Sequence, residues 1–112
     1  MGRFAGMTVR YLDLPDGGAL AAFVAERYRH RLLGLSGLRR LAAGAALLIP
    51  DCRSIHTVGM RFPVDVLFVT VVGHSLLVHD ARHTVPPRRI VRASPQARSQ
   101  AALGVVELAS GP

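Results

Sequence analysis

The chain has 112 residues, half of them apolar, which suffices for one compact domain and not for two. Its formal charge is +7 and all fourteen basic residues are Arg, a uniformity that points to codon composition as much as to phosphate recognition, so charge names no partner. A single cysteine, Cys52, excludes an internal disulfide or a multi-cysteine zinc site, and the longest uncharged apolar stretch, Leu41 to Pro50, is about half a membrane span. With no signal-like opening segment, the expectation is a cytoplasmic protein with no membrane insertion.

In chain order, Met7, Val9 and Tyr11 alternate with Thr8, Arg10 and then Asp13, the period of a half-buried strand. Pro15-Asp16-Gly17-Gly18 ends it as a turn. Leu20, Phe23, Val24, Tyr28 and Leu32 then recur at three- and four-residue spacing and predict a helix over Ala19 to Leu33, stopped by Gly34. Ser36 is placed to cap a short second helix, Gly37 to Ala43, before a strand over Ala45 to Ile49. Pro50 to Pro63 reads as an irregular loop, and Val64 to Val72 is the longest strand pattern.

Gly73-His74 turns into a partner strand, Ser75 to His79, giving a hairpin. Pro86-Pro87 forbids regular structure, and Ser94-Pro95 opens a third helix over Gln96 to Leu103. Gly104 closes that element, and Val105 to Ala109 returns as a strand. Segregated helices without a βαβ rhythm predict an α+β fold: a single domain over residues 1–112, with a mainly antiparallel sheet or partial barrel and two or three short helices packed on one side.

The chemistry concentrates in "CRSIHTVGMRFPVDVLF", Cys52 to Phe68. Strand alternation puts Asp65 on the same face as Leu67, Val69 and Val71, where an ionised carboxylate needs a partner. The nearest in sequence are Arg53, His56, Arg61 and the amides of the loop. Asp65 is thus either a staple for the incoming loop or the orienter of His56, making these two the candidate catalytic residues.

As a metal set, Cys52 with His56 and His79 with His83 are each four apart, but Cys-x-x-x-His is not a common structural-zinc spacing, and no metal is expected. A Cys52, His56, Asp65 triad lacks any sign of an activated thiol. Gly59 suits a sharp turn, and Met60 and Phe62 suit packing at the core edge. The Arg clusters at 27–31, 39–40 and 88–89 lack the interleaved aromatics of a nucleic-acid surface, so nucleic acid is not expected either.

"RLLGLSGLRRL", "ALLIPDCRSIHTVGMRFPVDVLFV", "PPRR" and "VVELASG" together resemble the domain of unknown function 192 family, a widespread bacterial and archaeal group of small domains. The resemblance runs from about Arg31 to Gly111. It marks Gly34, Leu35, Cys52, Arg53, Ser54, His56, Thr57, Met60, Arg61, Pro63, Asp65 and Glu107 as family-type positions. The chain departs from the pattern at Thr70, where members usually carry an acidic residue, and at Pro112, beyond which many members continue, so the resemblance raises the expectation of a domain without that C-terminal tail. Many relatives look exported, and the family carries no established activity.

The resulting expectation is a non-catalytic binding or accessory module without a cofactor, monomeric or weakly dimeric. Its ligand would be a small polar molecule, a sugar or an anion, held by Arg53, Ser54, His56, Thr57, Met60, Arg61, Asp65 and Glu107. The alternatives are a small enzyme using His56 and Asp65, and nucleic-acid binding through Arg-rich helix faces.

Overall fold

Two-residue alternation dominates the fold. In the computed structural model, which describes residues 4, 6–27, 34–38 and 40–110, eight strands are formed: β1 (Val9–Asp13), β2 (Ala19–Val24), β3 (Ala45–Ile49), β4 (Ser54–His56), β5 (Val64–Val72), β6 (Ser75–Val85), β7 (Ile90–Arg92) and β8 (Gly104–Ala109). Six of them close into a barrel in the order β1-β2-β3-β8-β5-β6, while β4 and β7 pair as a separate two-stranded sheet. The neighbours are antiparallel except β2 with β3 and β1 with β6.

The wall strands bury their lumen side, and β3, β5 and β8 bury the opposite side as well, whereas the outer faces of β1 and β6 are largely exposed. Leu12, Leu20, Ala22, Val24, Ala46, Leu48, Val69, Leu76 and Val106 form one cluster; it draws on all six barrel strands and therefore fills the lumen. The opposite faces of β3, β5 and β8 carry Leu47, Ile49, Val64, Val66, Phe68 and Val105, which pack beneath a covering layer that includes Leu35, Ile55, Met60, Val91 and Ala97, with Phe23 of β2 packed against them. Phe68 is fully buried there, and truncating it to Ala would cost about 3–5 kcal/mol.

Closure is narrow at the β1–β6 seam. Asp13 pairs with Ser75, its amide donates to His74 O at 2.6 Å, and Arg10 Nη2 donates to Gly73 O at 2.8 Å. The β5–β6 hairpin turn is thereby tied to the first strand.

The α+β expectation is corrected: the described residues are almost entirely β, and their one helix is the four-residue α1 (Pro95–Arg98). Ala19 to Val24 is a strand because Leu20, Ala22 and Val24 face the lumen while the partner β1 pairs along its whole length from Val9 to Asp13; tertiary pairing overrides the helix propensity of its alanines. Pro15 to Gly18 is accordingly a hairpin turn, with Leu14 N bonded to Gly18 O and Gly18 N to the Asp16 carboxylate. The remainder of that expected helix, at 28–33, lies outside the described residues.

No helix forms over the described part of 37–43 either. Ser36, expected as its cap, instead donates its hydroxyl to Val58 O at 2.7 Å, and Gly34, Gly37 and Gly44 all adopt positive φ. Ser94 does cap α1, accepting from Ala97 N, but the helix stops at Arg98 rather than at Leu103. No helix among the described residues is long and apolar enough to cross a membrane.

Candidate functional site

The expected loop from Pro50 to Pro63 divides into three pieces with different jobs. Cys52 is half-buried; its amide donates to Leu103 O and its thiol to Ser54 O. The Arg53 guanidinium donates to Arg98 O at 3.1 Å and to Gln100 O at 3.2 Å, satisfying carbonyls at the C-terminal end of α1. Arg53 is therefore occupied in joining two segments of the scaffold.

Next comes β4, whose register against β7 sets which way its side chains face. Ile55 pairs with Val91, and both are buried; Ser54 pairs with Arg92 and His56 with Ile90, and all four of these are exposed. His56 thus faces outward on the two-stranded sheet, beside an isoleucine that is 78% exposed.

The third piece is a turn built on Thr57, which is fully buried. Its hydroxyl donates to Pro86 O at 2.7 Å and accepts from Arg89 N at 2.8 Å, its amide donates to Arg89 O, and its carbonyl accepts from Met60 N and Arg88 N. One threonine fastens this turn to the loop after Pro86-Pro87. On the other side, Gly37 N donates to Gly59 O, and Gly59, at φ +82°, lies where a Cβ would meet Ser36 at 3.2 Å. Met60 is buried in the covering layer, and Arg61 is exposed.

Asp65 is claimed by other partners than His56. Its Oδ1 accepts from Thr84 N and from Ser110 Oγ, each at 2.8 Å, and Oδ2 lies 3.6 Å from Nδ1 of His83. No hydrogen bond or ion pair joins Asp65 to His56, so the base-and-orienter pair drawn from sequence is not assembled. Asp65 staples the end of β6 to the residue after β8.

Glu107, at the middle of β8, is 1% exposed and flanked in register by Leu47 and Val66. Its Oε1 has no hydrogen-bond partner among the described residues, and burial pushes the carboxyl up to about 7. A Cβ on Gly34, at φ +53°, would stand 3.0 Å from that oxygen and 3.8 Å from the Met60 methyl. The family-type residues Gly34, Met60 and Glu107 are thus one packed contact.

Two further polar residues, Asp80 and Arg92, carried no signal in the sequence, and Arg89 was noted there only within the 88–89 cluster. Asp80 accepts from the Arg82 guanidinium and the Ala81 amide through Oδ1 and from Ser94 N through Oδ2; burial acts to raise its pKa, but these hydrogen bonds hold the carboxyl below the usual range. Arg89 and Arg92 join Arg82, His83 and Ile90 around an open groove of about 560 Å³ between the end of β6 and β7. Among the described residues neither Arg89 nor Arg92 is ion-paired. No group of three or more His, Cys, Asp or Glu side chains there is arranged to hold a metal; His79 Nε2, for example, lies 2.8 Å from Thr70 Oγ1.

A small closed barrel with a two-stranded cover is the class of protein that this fold defines. The chain belongs to the domain of unknown function 192 family, described as an uncharacterized ACR, whose sequence profile matches residues 13–112. Its fold is similar to that of a candidate transcription regulator from Sinorhizobium meliloti 1021, at 22% identity and a TM-score of 0.68 over 92% of this chain and 79% of that one. It is also similar to a protein of unknown function from Novosphingobium aromaticivorans DSM 12444, at 16% identity and a TM-score of 0.74 over 99% and 80%. No curated protein matches.

Proposed function

We propose that the chain is a non-catalytic binding module for a small polar ligand bearing negative charge, such as a sugar phosphate or sugar acid, held at the exposed face of the β4–β7 sheet. The observation that carries this reading is the groove of about 560 Å³ lined by Arg89 and Arg92, with Arg82, which also pairs with Asp80, and His83 on the same lining. Guanidiniums bind carboxylate and phosphate oxygens in pairs of charge-assisted hydrogen bonds, and Ile90 beside His56 offers an apolar surface for the body of the ligand. Ser54, at the Arg92 register position, adds a hydroxyl.

Relative to the expectation from sequence, the ligand face keeps Ser54 and His56 and moves away from Arg53, Thr57, Met60, Asp65 and Glu107. Those five act within the scaffold. The same shift argues against an enzyme in which Asp65 orients His56, because the carboxylate already serves Thr84, Ser110 and His83.

The Sinorhizobium relative is described as a candidate transcription regulator, which raises nucleic acid as a second ligand class. Among the described residues no Phe, Tyr or Trp lines the groove for base stacking, and none forms a helix long enough to enter a major groove. A small anion therefore fits better.

The test is a thermal-shift and titration screen of phosphorylated and carboxylated sugars on the wild type, on Arg89→Ala/Arg92→Ala and on His56→Ala. Stabilisation by at least one such compound, lost in the double variant and weakened in His56→Ala, is expected. No shift with any of them, or a shift unaltered by the Arg pair, would refute the reading. Tight binding of duplex DNA with a steep salt dependence would replace it with the nucleic-acid one.

A further inference from the structure

The barrel has a second, unrelated opening. Where β1 begins and β2, β3 and β5 end, an open depression of about 560 Å³ lies at the mouth of the barrel above its filled lumen, within the size range of small-molecule sites and at a place where such sites recur. Its walls are the lumen-facing side chains Val24, Leu48, Val69 and Val71.

Among them stands one cation. Arg10 pairs in register with Ala22, a lumen residue, so its half-buried side chain lies on the lumen face at the rim. One of its five donors is engaged by Gly73 O at 2.8 Å, which fixes the guanidinium at the rim while leaving further donors for a ligand. Among the described residues no other Arg and no His lines the cavity.

The geometry points to this mouth as a binding site for a monocarboxylate with an aliphatic body, its carboxylate on Arg10 and its chain against the four aliphatic walls. A single guanidinium matches a single negative charge; a phosphate dianion would be only half neutralised. A second carboxylate would find no second guanidinium among the described lining residues, so the site selects monocarboxylates over dicarboxylates. The site shares no residue with the groove between β6 and β7 and does not depend on its function.

Octanoate serves as the probe, with 1-octanol and octanedioate as comparisons, followed by calorimetric titration and by intermolecular nuclear Overhauser contacts in the full chain. The expected result is saturable octanoate binding with methylene contacts to Val24, Leu48 and Val69, at least about tenfold tighter than either comparison compound. Arg10→Gln lowers the affinity by about tenfold or more, Arg10→Lys retains part of it, and Arg89→Ala/Arg92→Ala leaves it unchanged.

Octanol binding as tightly as octanoate, or contacts mapping to the β6–β7 face, would overturn the assignment. So would an affinity indifferent to Arg10→Gln. Were Arg10→Gln not to fold, the octanoate-to-octanol ratio and the contact map on the wild type decide the matter alone. Loss of the sugar-anion screen with retention of octanoate binding would dismiss the groove and keep the mouth.

Discussion

Asp65 and Glu107 occupy adjacent rungs of the β5–β8 ladder, yet they face opposite sides of the barrel wall and meet opposite fates. Asp65 pairs with Leu108 and Glu107 with Val66, so one carboxylate shares the lumen face and the other the covered face. Asp65 sits at a half-exposed end of the barrel with two donors at 2.8 Å and a histidine beside it. Glu107 lies sealed among aliphatics with one oxygen unpartnered among the described residues. A carboxylate supplied with hydrogen bonds ties segments together; one buried without them is pushed toward its protonated form and makes stability depend on pH.

The largest effect should come from titrating Glu107. Its folded pKa, about 7, exceeds the ordinary 4.5, so the folded state binds the extra proton. Stability is full below pH 4.5, declines as pH rises through 7, and loses on the order of 3 kcal/mol in all. Urea melts of the wild type between pH 5 and pH 8 should show this decline, and Glu107→Gln should flatten it; identical profiles for the two proteins would erase the contrast with Asp65.

Thr57→Val tests the hydrogen-bonded side of the covering layer. It keeps the shape but leaves Pro86 O without its hydroxyl donor and Arg89 N without its acceptor, at a cost of about 2 kcal/mol in denaturant unfolding. Asp65→Ala should cost about 1–2 kcal/mol, whereas Asp65→Asn, which retains an acceptor for Thr84 N, should cost less than half as much. If Asn proved as damaging as Ala, charge rather than hydrogen bonding would be what Asp65 supplies. Smallest of all, His56→Ala on the exposed sheet face should change stability by no more than about 0.5 kcal/mol while weakening ligand binding.

Much of this was legible residue by residue. The aliphatic run Val64 to Val72 and the Gly73-His74 turn announce β5 and its hairpin, and Ser94-Pro95 announces the start of α1. Asp65 as a staple was also foreseeable, because a carboxylate among aliphatics must find donors; which donors was not, since Thr84 and Ser110 lie 19 and 45 positions away.

β2 was misread because Leu20 and Val24 satisfy a helical and a strand period alike, and only β1 pairing chooses between them. The pairing of β4 with β7 was invisible: two three-residue strands far apart in the chain have no local signature. For the same reason Arg92 carried no signal, and Arg89 was weighed only as part of a basic cluster. Arg89 and Arg92 gain meaning only once Thr57 has drawn the Pro86 loop beneath the histidine strand.

The parallel junction of β2 and β3 carries a kinetic consequence. Parallel neighbours cannot be joined by a tight turn, so the chain must travel from Ala25 to Gly44 before β3 can dock, and on that path it lays Leu35 and Ser36 over Met60 and Gly59. The wall of the barrel and its cover thus share one segment, and neither can be completed before the other. Folding should be slow for a chain of this length, dominated by distant contacts, and should proceed in one step, with amide exchange in β3 and at Gly37 slowing together rather than in sequence.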